Sequence, residues 1–384
     1  MIVVVPADRR CIVVGAGLLG LSAAWALARR GWDAVVFEAA GGVGHERSGS
    51  KGDARIFRLG YPDPLYVEMA RRSRDLWLLL ERAGGNRLLH VTGQVTFGDE
   101  AALDAIAAAL AASGAPGERL SAAEAAVRVG GIAAHGPVLF EPASGVLAAD
   151  ACLQALCATA RFDLRVGAAV HEVREHPRGA AVTTADGRDH HADVVLVCAG
   201  TRSLALLGQS PAVAAAPSLP QVAYFRPEPG AGSPAPLPIF IEWGDDMIYG
   251  LPVPGAGPHA GTYKVSHHTP GSVVDRFDPT DQAPFADDPV LVGRLTGAVG
   301  RLLPALDPEP VATERCVYDN SADTDFVLDR IGHVVVGCGT SGHGFKFGPL
   351  LGELLADLAD GTEAPVDLAR FGLHREAAGG APSR

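Results

Sequence analysis

The chain has 384 residues, 48% of them hydrophobic, and a formal net charge of -12, so two domains with large cores are within reach. The acidic balance argues against nucleic acid or an anionic membrane surface as partner, and no run of about eighteen apolar residues offers a membrane span. Six cysteines (11, 152, 157, 198, 316 and 338) are scattered without metal-ligand spacing, so no metal is expected; Cys11, Cys198 and Cys338 read as small buried hydrophobes. Residues 1–5 are too short for a signal peptide, and residues 381–384 carry no address that we can read, so the expected compartment is the cytoplasm.

The first elements are a strand, a glycine turn and a helix. Cys11-Ile12-Val13-Val14 reads as a buried parallel strand, Gly15-Ala16-Gly17-Leu18-Leu19-Gly20 as the turn, and residues 21–30 as an Ala/Leu-rich helix. Ala34-Val35-Val36-Phe37 is a second strand, ending in Glu38. Gly15 permits the tight turn, Gly17 lets the backbone approach a pyrophosphate, and Gly20 lets the helix pack on the strand. The helix N-terminus offers free N–H groups to phosphate. Glu38 is placed to accept from a ribose hydroxyl and disfavours a 2′-phosphate, so the expected ligand is FAD or NAD(H).

Residues 41–58 show no period and read as a long irregular loop beside this site, a common place for function. Helical spacing returns over residues 65–82, strands follow over 88–97 with a break at Gly93, and residues 101–112 are helical. Ser121 and Glu124 form a capping box for another helix. Short strands at 138–140 and 145–147 flank Glu141-Pro142, and residues 150–160 are helical. Residues 164–170, 180–184 and 194–198 are strand-like; Ala199-Gly200 closes the last as a return to the dinucleotide sheet, with Val170 against the adenine end.

A Pro/Ala/Gly-rich stretch, 211–238, marks a domain crossing. Closely spaced strands at 221–224, 239–242, 247–251 and 263–266 predict an antiparallel sheet. A helix over 290–303, a strand over 313–318 holding Cys316, and a strand over 334–336 follow. The chain then forms a glycine-rich loop over 337–347 and a helix over 349–358 with Pro349 in its first turn. The fold class is α/β, with a discontinuous nucleotide domain (8–85, 148–213 and 318–372) and a sheet-based substrate domain (86–147 and 214–317).

Only three lysines occur, Lys51, Lys264 and Lys346, in a chain whose basic residues are otherwise arginine. A lysine retained in such a chain either survives by chance or stands where a compact, tunable ammonium is needed.

These residues resemble one family. Gly52-Asp53-Ala54-Arg55-Ile56-Phe57-Arg58, Glu141-Pro142-Ala143-Ser144-Gly145-Val146-Leu147, Cys316-Val317-Tyr318 and Ser341-Gly342-His343-Gly344-Phe345-Lys346-Phe347 are similar to motifs of the monomeric sarcosine oxidase group. That group belongs to the D-amino-acid-oxidase-like FAD-dependent oxidoreductases, and the likeness spans nearly the whole chain. It implies a Rossmann-type FAD domain and a substrate domain whose mixed, largely antiparallel sheet roofs the flavin. It implies that Cys316 carries the flavin through an 8α-thioether, that Arg58 and Lys346 hold the substrate carboxylate, and that Lys264 stands where oxygen is reduced. Arg55, His268 and Tyr318 match other polar groups of that cavity. Lys51, Arg55, Val170, Gly342, Gly344, Phe345 and Lys346 join the glycine turn and Glu38 as expected cofactor contacts.

The departures are Ala54 for a frequent threonine, Lys51 for a histidine, and Ile248 for a tyrosine facing the substrate, with Tyr249 beside it. They favour a more apolar pocket and a bulkier substrate than sarcosine. The resemblance thus implies an amine oxidase, working as a monomer, that moves a hydride from the carbon beside nitrogen to flavin and reduces O2 to H2O2. Its expected substrate is a secondary amino acid, N-methyl or cyclic. The alternatives are a cyclic imino-acid oxidase acting on a pipecolate- or proline-like ring, and a flavoprotein dehydrogenase subunit that passes electrons to a partner.

Overall fold

A computed structural model describes residues 9–209, 211–228, 237–244, 246–268, 271–274, 281 and 283–376. Residues 1–5 and 381–384 and part of the 211–238 stretch lie outside the described residues. Among those described, no helix is long and apolar enough to cross a membrane.

Two sheets dominate. The first has six strands in the order Val327–Ile331, Val334–Cys338, Val194–Val197, Arg10–Val14, Asp33–Phe37 and Asp163–Arg165. All neighbours run parallel except the Val327–Ile331/Val334–Cys338 hairpin. Its inner strands are covered on both faces, which is why they read as continuous Val/Ile/Leu runs. On one face the helices Leu18–Arg29 and Gly348–Asp360 pack so closely that a Cβ on Gly352 would lie 2.4 Å from the backbone of Ser22. The other face carries Ile12, Val14, Val35, Val195 and Val197 and packs on Val170, Ala180 and Val182 of a small antiparallel sheet.

The second sheet has eight strands in the order Ala312–Arg315, Gln221–Phe225, Tyr263–His267, Ile248–Pro252, Ile239–Trp243, Gln94–Gly98, Val138–Glu141 and Glu118–Leu120. Only Ile239–Trp243 and Gln94–Gly98 pair in parallel. Strand alternation gives it two distinct faces. One, with Phe97, Phe240, Ile248, Tyr263 and Val265, packs on the helix Pro289–Leu302. The other, with Val222, Tyr224, Ile241, Met247 and Leu251, turns toward the first sheet.

Two local features depart from the sequence reading. Residues 41–58 are irregular only as far as Asp53; Ala54–Phe57 is a strand paired with Gly145–Ala148. Four residues including an arginine show no period, and the partner lies some ninety positions away, so nothing local betrays it. The strand expected over 313–318 stops at Arg315. The next register position faces Pro220, which accepts from the Cys316 N–H but has no N–H to return, so the regular strand stops there and the pairing resumes only at the Ser218/Tyr318 bridge.

Candidate active site

A long cavity begins at the C-terminal ends of the parallel strands and runs beneath the eight-stranded sheet. Ligand clefts in open parallel sheets form at such strand ends. The first end is built from Val14, Gly15, Gly17, Leu18, Leu19, Glu38 and Val170. Gly15 has φ +101°, and a Cβ there would lie 2.5 Å from the carbonyl oxygen of Cys198, so only glycine makes this turn. Gly20 does not line the cavity; its bare Cα lets the helix close on Gly15, where a Cβ would sit 1.9 Å from the Gly15 oxygen. The Glu38 carboxylate accepts from the N–H groups of Ala16 at 2.8 Å and Ala40 at 2.9 Å, which fixes it at the cavity wall. Ser50 accepts from the Leu18 N–H at the start of the helix. Ser50, Arg47 and Arg202 also line this end; the sequence marked their loops but not these side chains.

The middle of the cavity is lined by Arg55, Tyr249, Lys264, His268, Cys316 and Tyr318. Tyr249 and Tyr318 interact through their side chains, and the His268 and Tyr318 rings lie 6.1 Å apart. The bare Cα of Gly342 admits the Tyr318 ring, since a Cβ would come within 2.4 Å of it. Lys264 is 3% exposed, and its ammonium is pushed below the ordinary lysine range by burial and by Arg55. Arg55 stays charged; its guanidinium is held by the carbonyls of Gly49, Lys51 and Ala54. Two cysteines reach this cavity. Cys198 sits at the first end with its thiol pushed up to about 12 by burial; Cys316 sits among Arg55, Lys51 and Lys264.

The far end holds Ile56, Arg58, His343, Gly344, Phe345 and Lys346. Arg58 is 6% exposed, 4.5 Å over the Tyr61 ring and 5.5 Å over that of Trp243. Its Nη1 is buried without a hydrogen-bond partner among the described residues. Lys346 is equally buried, donates to the His343 carbonyl at 2.8 Å, and is pushed well below the ordinary lysine range by burial and by Arg58. Its backbone is pinned by Ser73 and Trp77, which donate to its carbonyl at 2.6 and 2.9 Å. Behind Arg58 lies Glu141, whose oxygens accept from Gly60, Gln94 and Ser144. The sequence flagged Glu141 within a motif but assigned it no part here.

Besides Gly20, two expected site residues are not in the cavity lining. Ile248 points to the opposite face of the sheet and packs against the helix side with Phe97, Phe240 and Val265. The period of two turns Met247, Tyr249 and Leu251 inward instead, so an aromatic hydroxyl is present and the argument for a bulkier substrate loses that support. Lys51 is buried outside the lining, bonded to Glu46 at 2.6 Å and to Glu314 at 3.3 Å.

The comparisons with known proteins agree with this geometry. Residues 10–358 match the DAO family, FAD dependent oxidoreductase. The chain is 32% identical over 383 residues to the peroxisomal sarcosine oxidase of Homo sapiens, covering 95% of each chain. It is 29% identical over 388 residues to the N-methyl-L-tryptophan oxidase of Salmonella agona, covering 95% of this chain and 98% of that one. Among solved structures it is similar to NikD, an unusual amino acid oxidase essential for nikkomycin biosynthesis, with a TM-score of 0.79, 27% identity, and 96% and 98% of the two chains covered. The glycine cradle, the fixed Glu38 and a cavity lined from the parallel-strand ends to the eight-stranded sheet fit an FAD molecule, and the chain belongs to the DAO family of FAD-dependent oxidoreductases.

Proposed function

We propose that the protein oxidises the C–N bond of a secondary amino acid and uses O2 as acceptor, giving an imine and H2O2. The observation that carries this reading is the far end of the cavity, where two buried cations, Arg58 and Lys346, have no carboxylate within ion-pair distance among the described residues. A buried charge needs a partner, and a substrate carboxylate supplies one. The relatives named for sarcosine and N-methyl-L-tryptophan oxidation support a secondary amine beside that carboxylate.

When bound, FAD supplies the hydride acceptor and carries the electrons to oxygen. The residues of the chain do the rest. Gly15, Gly17, Leu18, Leu19 and Glu38 would hold the adenosine and pyrophosphate, with Gly20 shaping the turn. Cys316, which lines the middle of the cavity, would hold the flavin through a thioether. Arg58 and Lys346 orient the substrate, the aromatic wall of Tyr249 and Phe345 excludes water, and His268, Arg55 and Tyr318 complete the polar lining. Lys264 holds positive charge where oxygen is reduced and stabilises the negative charge that develops there.

An anaerobic screen of secondary amino acids for flavin bleaching, followed by peroxide assay in air, tests the function. Bleaching and stoichiometric peroxide are expected. Equal activity on the best acid and its methyl ester overturns the carboxylate clamp, and flavin reduction without peroxide overturns oxygen as acceptor. The flavin is expected to stay in the pellet after acid precipitation; a yellow supernatant over a colourless pellet overturns attachment through Cys316.

A further inference from the structure

Lys51 stands where the resembled family has histidine, and its ammonium is turned away from the cavity toward Glu314. Glu314 lies on the strand Ala312–Arg315 in register with Val222, and Lys264 lies two strands away in register with Tyr224. Tyr224 joins the two: its hydroxyl donates to Glu314, and the Lys264 Nζ lies 5.7 Å over its ring. Arg55 faces the same carboxylate from the strand Ala54–Phe57. Three cations therefore converge on Glu314.

We propose that Glu314 is a positioning residue for Lys264: it supplies the buried negative charge that keeps the Lys264 ammonium charged, and Lys51 competes for that charge and so limits the effect. The proposal rests on the reading of Lys264 as the oxygen-reducing cation only for its catalytic consequence. The geometry carries it: Tyr224 binds Glu314 through its hydroxyl and holds the Lys264 Nζ over its ring, while Lys51 pairs with the same carboxylate. Burial opposes ionisation of Glu314, yet its carboxyl is held down to about 2 by Lys264, the Tyr224 bond, Lys51 and Arg55. Burial and Arg55 push Lys264 down, while Cys316, Glu314 and Asp53 push it up. A cysteine alkylated as a thioether carries no charge. Glu314 is the carboxylate that Tyr224 ties to the same cluster as Lys264.

The other titratable groups facing this cluster do not replace it. Asp53 is spent on the N–H of His259, whose ring stacks on Tyr224 at 3.8 Å. Asp150, on the helix Ala149–Ala158, is pushed up by burial and by Asp53, which weakens it as an anion. Glu46 pairs with Lys51, and Tyr249 is pushed up by burial and stays neutral.

The test uses the holoenzyme and the three-lysine composition, which makes each amine separable by mass spectrometry. Competitive acylation with acetic anhydride across pH gives the titration midpoint of Lys264. Glu314→Gln should lower that midpoint by about one to three units, as expected for loss of a nearby opposite charge, and Lys51→Met should raise it. Opposite signs are required; a merely structural disturbance moves both variants the same way. Glu314→Asp should restore part of the shift. The high-pH limit of flavin reoxidation should follow the labelling midpoint in each variant. An unchanged Lys264 midpoint in Glu314→Gln, or a lowered or unchanged one in Lys51→Met, overturns the proposal. If the midpoints shift as stated while reoxidation ignores them, the coupling holds and the oxygen role of Lys264 falls. Lys51→Met keeps the test decisive if Glu314→Gln does not fold.

Discussion

Two pairs of buried cations share one cavity and are treated differently. At the far end, Arg58 and Lys346 form no ion pair among the described residues, and Arg58 leaves Nη1 without a partner. In the middle, Arg55 and Lys264 share the field of Glu314, and Arg55 is further tied to three carbonyls. Leaving a buried charge unpaired is costly, so a fold keeps one only where packing enforces it. Here the rings of Tyr61 and Trp243 enclose Arg58, and Ser73 and Trp77 pin the Lys346 backbone. Each pair has one buried carboxylate in its field, Glu141 behind Arg58 and Glu314 beside Arg55 and Lys264, but Arg58 keeps an unpartnered nitrogen where Arg55 is tied to carbonyls; we read the first pair as open to an anion from outside and the second as a charge held in place.

If that sorting is right, removing one cation from each pair should damage different half-reactions. Arg58→Met leaves Lys346 alone against the substrate carboxylate. The expected loss in kcat/KM is about 3 to 5 kcal/mol, the range seen when one partner of a buried charge pair is removed. Reoxidation of the reduced flavin should hardly change. Lys264→Met should do the reverse. Anaerobic flavin reduction should change by about tenfold or less, whereas reoxidation should slow by about 10²- to 10³-fold, the usual effect of removing one fixed stabilising group. Stopped-flow traces of the two half-reactions decide both. If either variant impairs both halves equally, the two pairs are not functionally separate.

The sequence made all four cations legible and left the carboxylate beside the second pair unmarked. Arg58 and Lys346 sit in contiguous motifs, and the glycine turn with Glu38 announced its sheet from local pattern alone, because parallel buried strands read as apolar runs. The Glu314–Lys51–Lys264 arrangement depends on three strands and a loop that meet only in the fold. Glu314 in isolation is one acid in an edge strand, and no period marks it. The same limit explains Ile248. Which of two adjacent strand residues faces inward is set by register against Tyr263–His267 and Ile239–Trp243, and a slip of one position exchanges the faces. Cys316 fell outside its expected strand because the break is made by Pro220, nearly a hundred residues earlier.

That register is itself open to test with a smaller effect. Ile248→Val should lower stability by about 0.5 to 1.5 kcal/mol, the typical cost of one buried methylene group, and leave both half-reactions intact. Tyr249→Phe should leave stability nearly unchanged and alter flavin reduction by about tenfold, less than the ~10²- to 10⁴-fold contributed by a general acid or base. Chemical denaturation and stopped-flow on both variants check the pair. Altered kinetics in Ile248→Val with none in Tyr249→Phe would restore the inward position to residue 248.

The finest distinction between the two cation pairs is a fraction of a proton. Lys346 is pushed well below the ordinary lysine range by burial and by the Arg58 charge, so near that lowered value part of the free enzyme holds it neutral. A bound carboxylate favours the charged form and raises the value again. The sign follows: between the two values, binding a carboxylate draws a proton from solution, and affinity falls as pH climbs through the free-enzyme value. A non-reacting carboxylic acid that occupies the clamp should therefore bind with uptake of up to one proton. Calorimetry in buffers of different ionisation enthalpy measures this. Lys346→Met should abolish the uptake. Glu314→Gln, which acts on the other pair, should leave it in place. Proton uptake that disappears in Glu314→Gln and survives in Lys346→Met would show that the titrating lysine of the binding step is Lys264, and that the carboxylate lies in the middle of the cavity.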